Sequence, residues 1–482
     1  MVPYDVVTDT FGEVEEDDPR IVDAGLFPTP AVHTEFGDGY VFLHFLESTG
    51  PGKVLRGVFQ KEADYQRVFS HIYHTVMKNS ERVRCDVFLE RSFIRHPVPK
   101  VPTSCLKGDT AYCAMMGADR IRTGFFKAYV KFMRKAFPGF GKACYVDSAP
   151  LPNDTDDDPF DAFADHGTGS SGNRMRMAVV LDSKMGLPVW FDIHSGDVLD
   201  LGTPSGITAD IRTNLGIGIT EYVLDAGYAS GKLIRSFPTT VEGEESDPAD
   251  TDDDVGNIVV RMPARRGHPY KTPYHRCKPL MGNGKYDLVR DRHAYFGVRK
   301  RVRVFEKEVC AYVYVDYGNA LRGHRRFMSE HPSEFEAMTD EDRTWHRCKE
   351  GYFILLSGMA EEPSAMLERY FGRTGIECIF RTAKEYLEIL PPNKWTVDTV
   401  KGKILNDAIS LIPYLGMGRA LSGSGYSVPE VISRCRSLEC MMTPDGVIGV
   451  EVPNKQMERI YSRFHMTVPP RVALSEILPC SG

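Results

Sequence analysis

Four polar side chains around residue 377 have types and spacing that could bind a metal ion and phosphate groups. On an α-helix, which turns by about 100° per residue, Tyr370, Arg373, Glu377 and Lys384 would lie within an arc of about 60°. The apolar residues of the same stretch fall on the adjoining arc, so one flank is suited to burial. A carboxylate there could bind a metal ion, and the two cations could bind phosphates. The same periodicity is also typical of a solvated helix face with mixed charges.

The number of residues between these four side chains matches a known sequence signature. Tyr370-x2-Arg373-x3-Glu377-x6-Lys384 resembles the Y-R-E-K signature of the insertion-sequence DDE transposases. The resemblance implies that Glu377 is the third metal-binding acid and that two Asp residues lie upstream at the ends of buried strands. It implies DNA-binding roles for Arg373 and Lys384, which would neutralise phosphates, and for Tyr370, which either contacts the DNA backbone or merely packs.

Two upstream segments supply such Asp residues. A short apolar strand stops at Asp147, shortly before Pro150, and a second apolar strand ends at Asp225. Between them lies a predicted hairpin whose turn is 182–186, so Asp182 is interpreted as a turn residue and not as a ligand. A further strand is predicted at 257–262. The order is therefore strand, hairpin, helix, strand, helix, strand, followed by the helix that carries Glu377.

This order resembles the ribonuclease-H-like core that DDE transposases share with retroviral integrases. The turns near Pro188 and Asp197 and the Asp225-Ala-Gly-Tyr228 motif also resemble the central block of the transposase family. The implied fold class is α/β, with a ribonuclease-H-like mixed sheet flanked by helices. In that fold the first and fourth strands are neighbours, which would bring Asp147 beside Asp225 beneath the late helix.

The resemblance also implies a cofactor, a substrate and a reaction. Asp147, Asp225 and Glu377 would be the catalytic residues and would hold two Mg²⁺ ions, with Mn²⁺ as a substitute. The protein would cleave the terminal inverted repeats of its insertion element and join the 3′ ends to target DNA, acting as a homodimer in a synaptic complex. Two alternatives stay open, namely a structure-selective nuclease with the same core and a decayed transposase that only binds DNA.

About 152 residues separate Asp225 from Glu377, more than a compact core of this kind needs. The excess contains strand-like runs, and 298–305 alternates cationic with apolar residues as an exposed strand does. Between 255 and 350 there are about twenty Lys and Arg against about twelve Asp and Glu. The segment resembles the mostly β insertion of this family, and its charge fits a surface laid against DNA or a basic sheet face without a ligand. Trp345 could stack on an unpaired base or belong to the core.

The remaining regions receive broader predictions. We predict five regions. Residues 1–140 are a mainly helical N-terminal region that binds DNA ends, 141–264 are the first part of the core, and 265–358 are the insertion. Residues 359–421 are the core helices with the third acid, and 422–482 are a small tail that packs or self-associates. Local patterns predict a strand at 39–46 and helices at 57–77, 117–136 and 397–412, the last ended by Pro413. Two further pairs are too isolated to indicate metal sites: His71 with His74, and Cys435 with Cys440.

Composition describes an ordinary globular chain of 482 residues, 42% hydrophobic, with mean hydropathy −0.29. No apolar run approaches the roughly 20 residues that cross a bilayer, and the N-terminus lacks a signal-peptide pattern. Eleven scattered Cys without a C-x-x-C pair favour a reduced cytoplasm, where the resemblance would place the protein on the nucleoid. A net charge of −7 argues against nucleic acid for the chain as a whole, but much of the acid lies in 153–165 and 242–254, which are interpreted as solvated loops.

Overall fold

The structure is a computed structural model that describes these parts of the chain: residues 4–5, 10–11, 32–77, 85–95, 106, 109–152, 162–164, 172–195, 203–237, 257–264, 270–373, 394, 396–443 and 447–477. The α-helices of these residues are, in chain order: α1 Gly37–Ser48, α2 Pro51–Val58, α3 Glu62–Met77, α4 Cys85–Glu90, α5 Asp109–Met116, α6 Asp119–Ala136, α7 Thr203–Leu215, α8 Gly231–Arg235, α9 Lys271–Cys277, α10 Tyr317–Glu330, α11 Pro332–Ala337, α12 Asp340–Lys349, α13 Pro363–Gly372, α14 Val397–Ala420, α15 Val428–Arg436, α16 Lys455–Arg463 and α17 Leu474–Ile477.

The strands are, in the same order: β1 Tyr4–Asp5, β2 Thr10–Phe11, β3 Val32–Glu35, β4 Ala143–Pro152, β5 Ala162–Ala164, β6 Gly172–Asp182, β7 Pro188–Ser195, β8 Glu221–Leu224, β9 Asn257–Arg261, β10 Asp287–Arg290, β11 His293–Val304, β12 Lys307–Asp316, β13 Tyr352–Ser357, β14 Glu439–Met442, β15 Val447–Val450 and β16 Arg471–Ala473. The fold is mixed α/β, as the sequence predicted. None of the helices among these residues is long and apolar enough to span a membrane.

The chain divides into two compact units, residues 1–116 with 402–482 and residues 117–401. These limits differ from the predicted boundaries after 140 and 421. Helix α6 belongs to the second unit because its apolar face packs on β7, where Phe126 contacts the ring of Trp190 with centroids 5.7 Å apart. On the same helix, the guanidinium of Arg122 donates to a carboxylate oxygen of Asp192 at 2.6 Å.

The first unit combines helices with a four-stranded antiparallel sheet in the order β16-β15-β14-β3. The predicted strand at 39–46 is wrong, because these residues lie in helix α1. A continuous apolar run suits a helix or a strand when it is buried on most sides, and α1 buries Phe42, Leu43 and Phe45 together. The predicted helix at 57–77 is instead two helices, α2 and α3, the first of which starts at Pro51.

Helix α14 continues to Ala420, so the prediction that it ends at Pro413 is wrong. A proline inside a helix costs about 3 kcal/mol. Ile412, Tyr414 and Met417 are all buried around it, and each such side chain contributes about 1.5–3 kcal/mol on burial. Packing therefore outweighs the local penalty.

The second unit is built on a ten-stranded mixed sheet with the order β10-β11-β12-β13-β9-β8-β4-β6-β5, and β7 also pairs with β6. Strands β4, β8 and β9 are parallel to one another, and the remaining pairs of the sheet are antiparallel. The three central residues of β9 and the last three of β8 are buried, as expected for strands covered on both faces. This central parallel part carries the two Asp residues that the sequence singled out.

Strand β4 does not stop at Asp147 but runs on to Pro152. It pairs with β8 only as far as Val146, while its pairing with β6 continues through Pro152. Among the described residues no strand pairs with that side of β4 beyond Val146, and a proline such as Pro150 is tolerated at such an edge because no ladder hydrogen bond is required there.

The segment 265–358 was predicted to be mostly β, but in its described residues strands and helices have comparable shares. Helix α9 precedes strands β10 to β12, and helices α10 to α12 precede β13. Strand β13 pairs directly with β9, so the central sheet is extended by these strands. The alternation at 298–305 is confirmed: Arg299, Arg301 and Arg303 are exposed, while Val302 and Val304 are buried. The two-residue period of the sequence determined which face of β11 is exposed. Whether β10 to β13 join the central sheet depended on pairing with strands that are distant in sequence.

Candidate active site

Strand register places Asp147 and Asp225 side by side, just beyond the paired part of the parallel strands β4 and β8. The last pair of β4 and β8 is Val146 with Leu224, so the residues that follow in the two backbones are Asp147 and Asp225. Asp225 keeps an extended backbone, with φ −78° and ψ 171°. Neighbouring strands lie about 4.8 Å apart, and residues in register on parallel strands project to the same face. The two carboxylates are therefore adjacent although 78 positions separate them in sequence.

Helix α13 is tied to the strand that leads to Asp225. The guanidinium of Arg369 binds Glu361 through two hydrogen bonds, of 2.7 and 2.9 Å, and also contacts the carboxylate of Glu221. Glu221 is the first residue of β8. A planar guanidinium that holds two carboxylates fixes geometry as well as charge, so this contact sets the position of the helix against the strand.

The end of α13 approaches β4 very closely at Gly372. A Cβ atom added at Gly372 would collide with the hydroxyl group of Tyr145, which lies on β4 two residues before Asp147. Only glycine leaves room for this approach. The next residue, Arg373, is the C-cap of the helix and therefore lies beside the carboxylates that follow the paired part of β4 and β8.

Arg373 bridges the two carboxylates. Its Nη1 atom donates to Oδ2 of Asp147 at 2.8 Å, and its Nη2 atom lies 3.3 Å from Oδ1 of Asp225. The side chains of Arg373 and Asp147 are 11% and 16% exposed, while that of Asp225 is 41% exposed. The hydroxyl group of Tyr370 also donates to Oδ1 of Asp225, at 3.3 Å. Four of the six residues singled out by the sequence therefore meet in one cluster.

The cluster combines two carboxylates with a phenol and a guanidinium. Burial raises the pKa of Tyr370, with the Asp225 charge acting in the same direction and Arg373 opposing it. The phenol is therefore protonated at neutral pH and can donate its hydrogen bond. Asp147 and Asp225 lie in a partly buried site with the guanidinium of Arg373 between them, and the positive charge of Arg261 also acts on Tyr370. Carboxylate oxygens are the donors that Mg²⁺ prefers, so the donor set fits a divalent ion.

The third predicted acid cannot be located by this structure. Glu377 and Lys384 lie outside the described residues, as does the part of the predicted helix beyond Arg373. Within the part of the chain that is described, no group of three or more His, Cys, Asp or Glu side chains is arranged to hold a metal ion. The catalytic and metal-binding roles of Asp147, Asp225 and Glu377 therefore stay predictions.

Other residues considered at the sequence level have structural surroundings. Both carboxylate oxygens of Asp182 accept hydrogen bonds from backbone amides, which confirms its role as a turn residue. Trp345 packs edge-on against Tyr274, with ring centroids 4.5 Å apart. His71 and His74 are fully buried, and the ring of His71 stacks on Tyr112 at 4.0 Å.

Sequence reasoning missed three residues that shape the site. Arg369 and Gly372 position α13, and Arg176, which is 9% exposed, donates to the hydroxyl of Ser148, the residue after Asp147. Arg369 lies one position before Tyr370, outside the four-residue signature, and its partner Glu221 is 148 positions away. No local pattern marks such a pair. The close approach at Gly372 was detectable only as a glycine inside a helical stretch, which is a weak signal.

Comparison with known proteins gives only distant structural likeness. No protein-family model matches the chain, and no curated protein matches it by sequence. Among solved structures, the chain is similar to a piggyBac transposase in a synaptic complex with hairpin DNA, solved by cryo-electron microscopy. The TM-score is 0.35 with 12% sequence identity, over 92% of this chain and 77% of that one. A likeness at this level defines neither the family nor the chemistry of this chain.

Proposed function

We propose that the chain is a metal-dependent DNA transposase of the DDE type, which cleaves the ends of its element and joins the 3′ ends to target DNA. The observation that carries the proposal is the cluster at Arg373, which contacts Asp147 on β4 and Asp225 after β8. One residue of the predicted signature and the two upstream acids that the resemblance implied lie far apart in sequence but come together in space. A solvated helix face with mixed charges would leave Arg373 exposed, whereas this residue is only 9% exposed.

The sheet supports a ribonuclease-H-like core as part of this proposal. In chain order the five strands are β4, β6, β7, β8 and β9, and their spatial order is β7-β6-β4-β8-β9. The first three are successively antiparallel, and the last two run parallel to the first. The first and fourth strands are thus neighbours and carry the two acids, as the resemblance to that core implied.

Each residue of the cluster has a proposed task. Asp147 and Asp225 would hold the metal ions together with Glu377, four residues beyond Arg373. Two bound Mg²⁺ ions supply activation of the attacking hydroxyl and stabilisation of the leaving 3′ oxygen. Tyr370 holds the Asp225 carboxylate by its hydrogen bond, and Arg373 orients Asp147 and offsets negative charge near the scissile phosphate. Lys384 would bind a flanking phosphate.

The test uses a labelled duplex that ends with the inverted repeat flanking the gene, together with a supercoiled target. We expect Asp147→Asn, Asp225→Asn and Glu377→Gln each to reduce Mg²⁺-dependent cleavage and joining by about 10³-fold or more, since a ligand of the reactive centre is lost. DNA binding should persist in all three. Glu368→Gln is the matched control, because Glu368 lies exposed on α13 and pairs with Arg290 at the surface.

The products of the same assay separate the candidate functions. Joined product from the wild-type chain supports a transposase, whereas cleavage of junction DNA without joining would point to a structure-selective nuclease. Wild-type-like joining by any of the three acid variants would overturn the assignment of the site. Binding without either reaction would leave a DNA-binding protein that has lost catalysis.

A further inference from the structure

The first unit contains an open groove of about 980 Å³ that the proposed chemistry does not use. One wall is helix α16, and the other walls come from α1 and from the segment that follows α14. We call this the basic groove and define it by His44, Tyr426, Lys455, Arg459, Arg463 and His465, which line it. All of these residues belong to the same compact unit.

The cations of the groove form a row along one helix. Lys455, Arg459 and Arg463 are exposed and follow one another at intervals of four residues, so they share a helix face about 80° wide. The row is about 12 Å long, with steps of about 6 Å. None of the three makes an ion pair with any residue that the structure describes. Glu458 is the one carboxylate among the residues lining the groove.

The helix that carries this row is firmly held. Its first turn is capped by Asn454, whose side-chain oxygen accepts from the amides of Gln456 and Met457 at 3.0 Å each. On the opposite face Ile460 is fully buried, and the hydroxyl of the buried Tyr461 donates to the carbonyl oxygen of Gly37 at 3.3 Å. The cations therefore project from a preorganised scaffold, which lowers the entropic cost of binding a ligand.

We propose that the basic groove binds the phosphate backbone of double-stranded DNA. The choice of DNA rests on the proposed transposase function. One strand of duplex DNA carries a phosphate about every 3.4 Å along the axis, so a row of about 12 Å spans three to four phosphates. The cations are arranged in a line and do not converge on one point, which suits a polyanion better than a small anion. Contacts of this kind position DNA without reading its sequence.

This inference changes the expected role of the C-terminal region. The sequence assigned residues 422–482 to packing or self-association and placed DNA binding in residues 1–140. The basic groove draws on both segments, because His44 lies on α1 and the cationic row lies on α16. DNA binding by the first unit would therefore depend on residues from both ends of the chain.

The experiment measures binding of the full chain to a fluorescent duplex of arbitrary sequence, by anisotropy, at salt concentrations between about 50 and 200 mM. The groove variant carries Lys455→Gln, Arg459→Gln and Arg463→Gln. Loss of three phosphate contacts should make the slope of log affinity against log salt shallower by about 2.7. The affinity advantage of the wild type should then fall by about 40-fold between the two salt limits.

A matched control separates local contacts from net charge. The control variant carries Lys61→Gln, Arg91→Gln and Arg471→Gln, which removes three exposed cations of the same unit that do not line the groove. Both variants change the formal net charge from −7 to −10. We expect the control to keep the wild-type slope. A charge-retaining variant of the groove, which carries Lys455→Arg, Arg459→Lys and Arg463→Lys, should also keep the wild-type slope. Thermal unfolding checks that all variants fold.

The outcomes distinguish this inference from the proposed function. Equal slopes for the groove and control variants would overturn the groove as a DNA site, even if the wild type joins DNA ends. A shallower slope in the groove variant alone would support it, even if no joined product forms and the transposase proposal fails. If the groove variant loses binding to vesicles rich in phosphatidylserine while its DNA binding is unchanged, the groove binds an anionic membrane surface and the DNA proposal is refuted.

Discussion

Arg373 occupies the position where a single substitution tests both the geometry and the metal chemistry of the site. Arg373→Gln removes the positive charge between Asp147 and Asp225 while retaining a polar side chain. The contact with Asp147 joins two largely buried groups, and a hydrogen bond between charged groups there contributes about 1.5–3 kcal/mol. Asp225 is 41% exposed, so solvent screens its contact to about 0–1 kcal/mol. In the absence of divalent ions we expect the free energy of unfolding to fall by about 2–4 kcal/mol.

Magnesium should offset part of that loss. Without Arg373 the two carboxylates repel each other, and a bound divalent cation relieves the repulsion while binding only the folded state. We therefore expect the difference in unfolding free energy between wild type and Arg373→Gln to shrink by about 1 kcal/mol or more when Mg²⁺ is in excess. Each 1.4 kcal/mol of this reduction corresponds to roughly tenfold tighter metal binding by the variant.

Urea unfolding followed by tryptophan fluorescence is the appropriate assay. All three Trp residues of the chain lie within residues 117–401, so their emission reports on the second unit. Each protein is unfolded once in EDTA and once in excess Mg²⁺. Arg303→Gln is the matched control, because Arg303 is exposed on β11, away from the carboxylates, and should change stability by less than about 0.5 kcal/mol in either buffer. An Arg373→Gln protein as stable as the wild type in EDTA, or equally destabilised in both buffers, would refute the reasoning.

Three further outcomes follow from the second unit. Asp182→Ala should lower the free energy of unfolding by about 2–4 kcal/mol in urea titrations, because a buried carboxylate that accepts from three backbone amides is lost. Burial, and then the charge of Lys349, lower the pKa of His346. The stability contributed by neutral His346 is therefore present above about pH 6.5 and is lost as the pH falls. The urea midpoint of the wild type should drop more on acidification than that of His346→Gln. Burial, and then the charge of Asp192, raise the pKa of Asp210, so ionisation of Asp210 destabilises the fold as the pH rises above about 3.9. Asp210→Asn should therefore raise the urea midpoint at neutral pH but not at pH values below about 3.9.

Features with a local cause could be predicted from the sequence. The turn at 182–186 follows from an Asp that caps backbone amides and from Gly186, whose φ of +58° favours glycine. The alternating exposure along β11 follows from the two-residue period of a strand. Asp147 and Asp225, each preceded by a short apolar run, and the spacing of Tyr370 and Arg373 were also visible as patterns.

Tertiary structure decided whatever depended on distant partners. An apolar run such as 39–46 is compatible with a helix or a strand, and its surroundings made it a helix. Pro413 would end an isolated helix, but burial of its neighbours carries α14 through it. Periodicity and turn chemistry act over a few residues and can be read locally. The bridge from Arg373 to Asp147 spans 226 positions, and it exists because strand pairing and the close approach at Gly372 bring those backbones together.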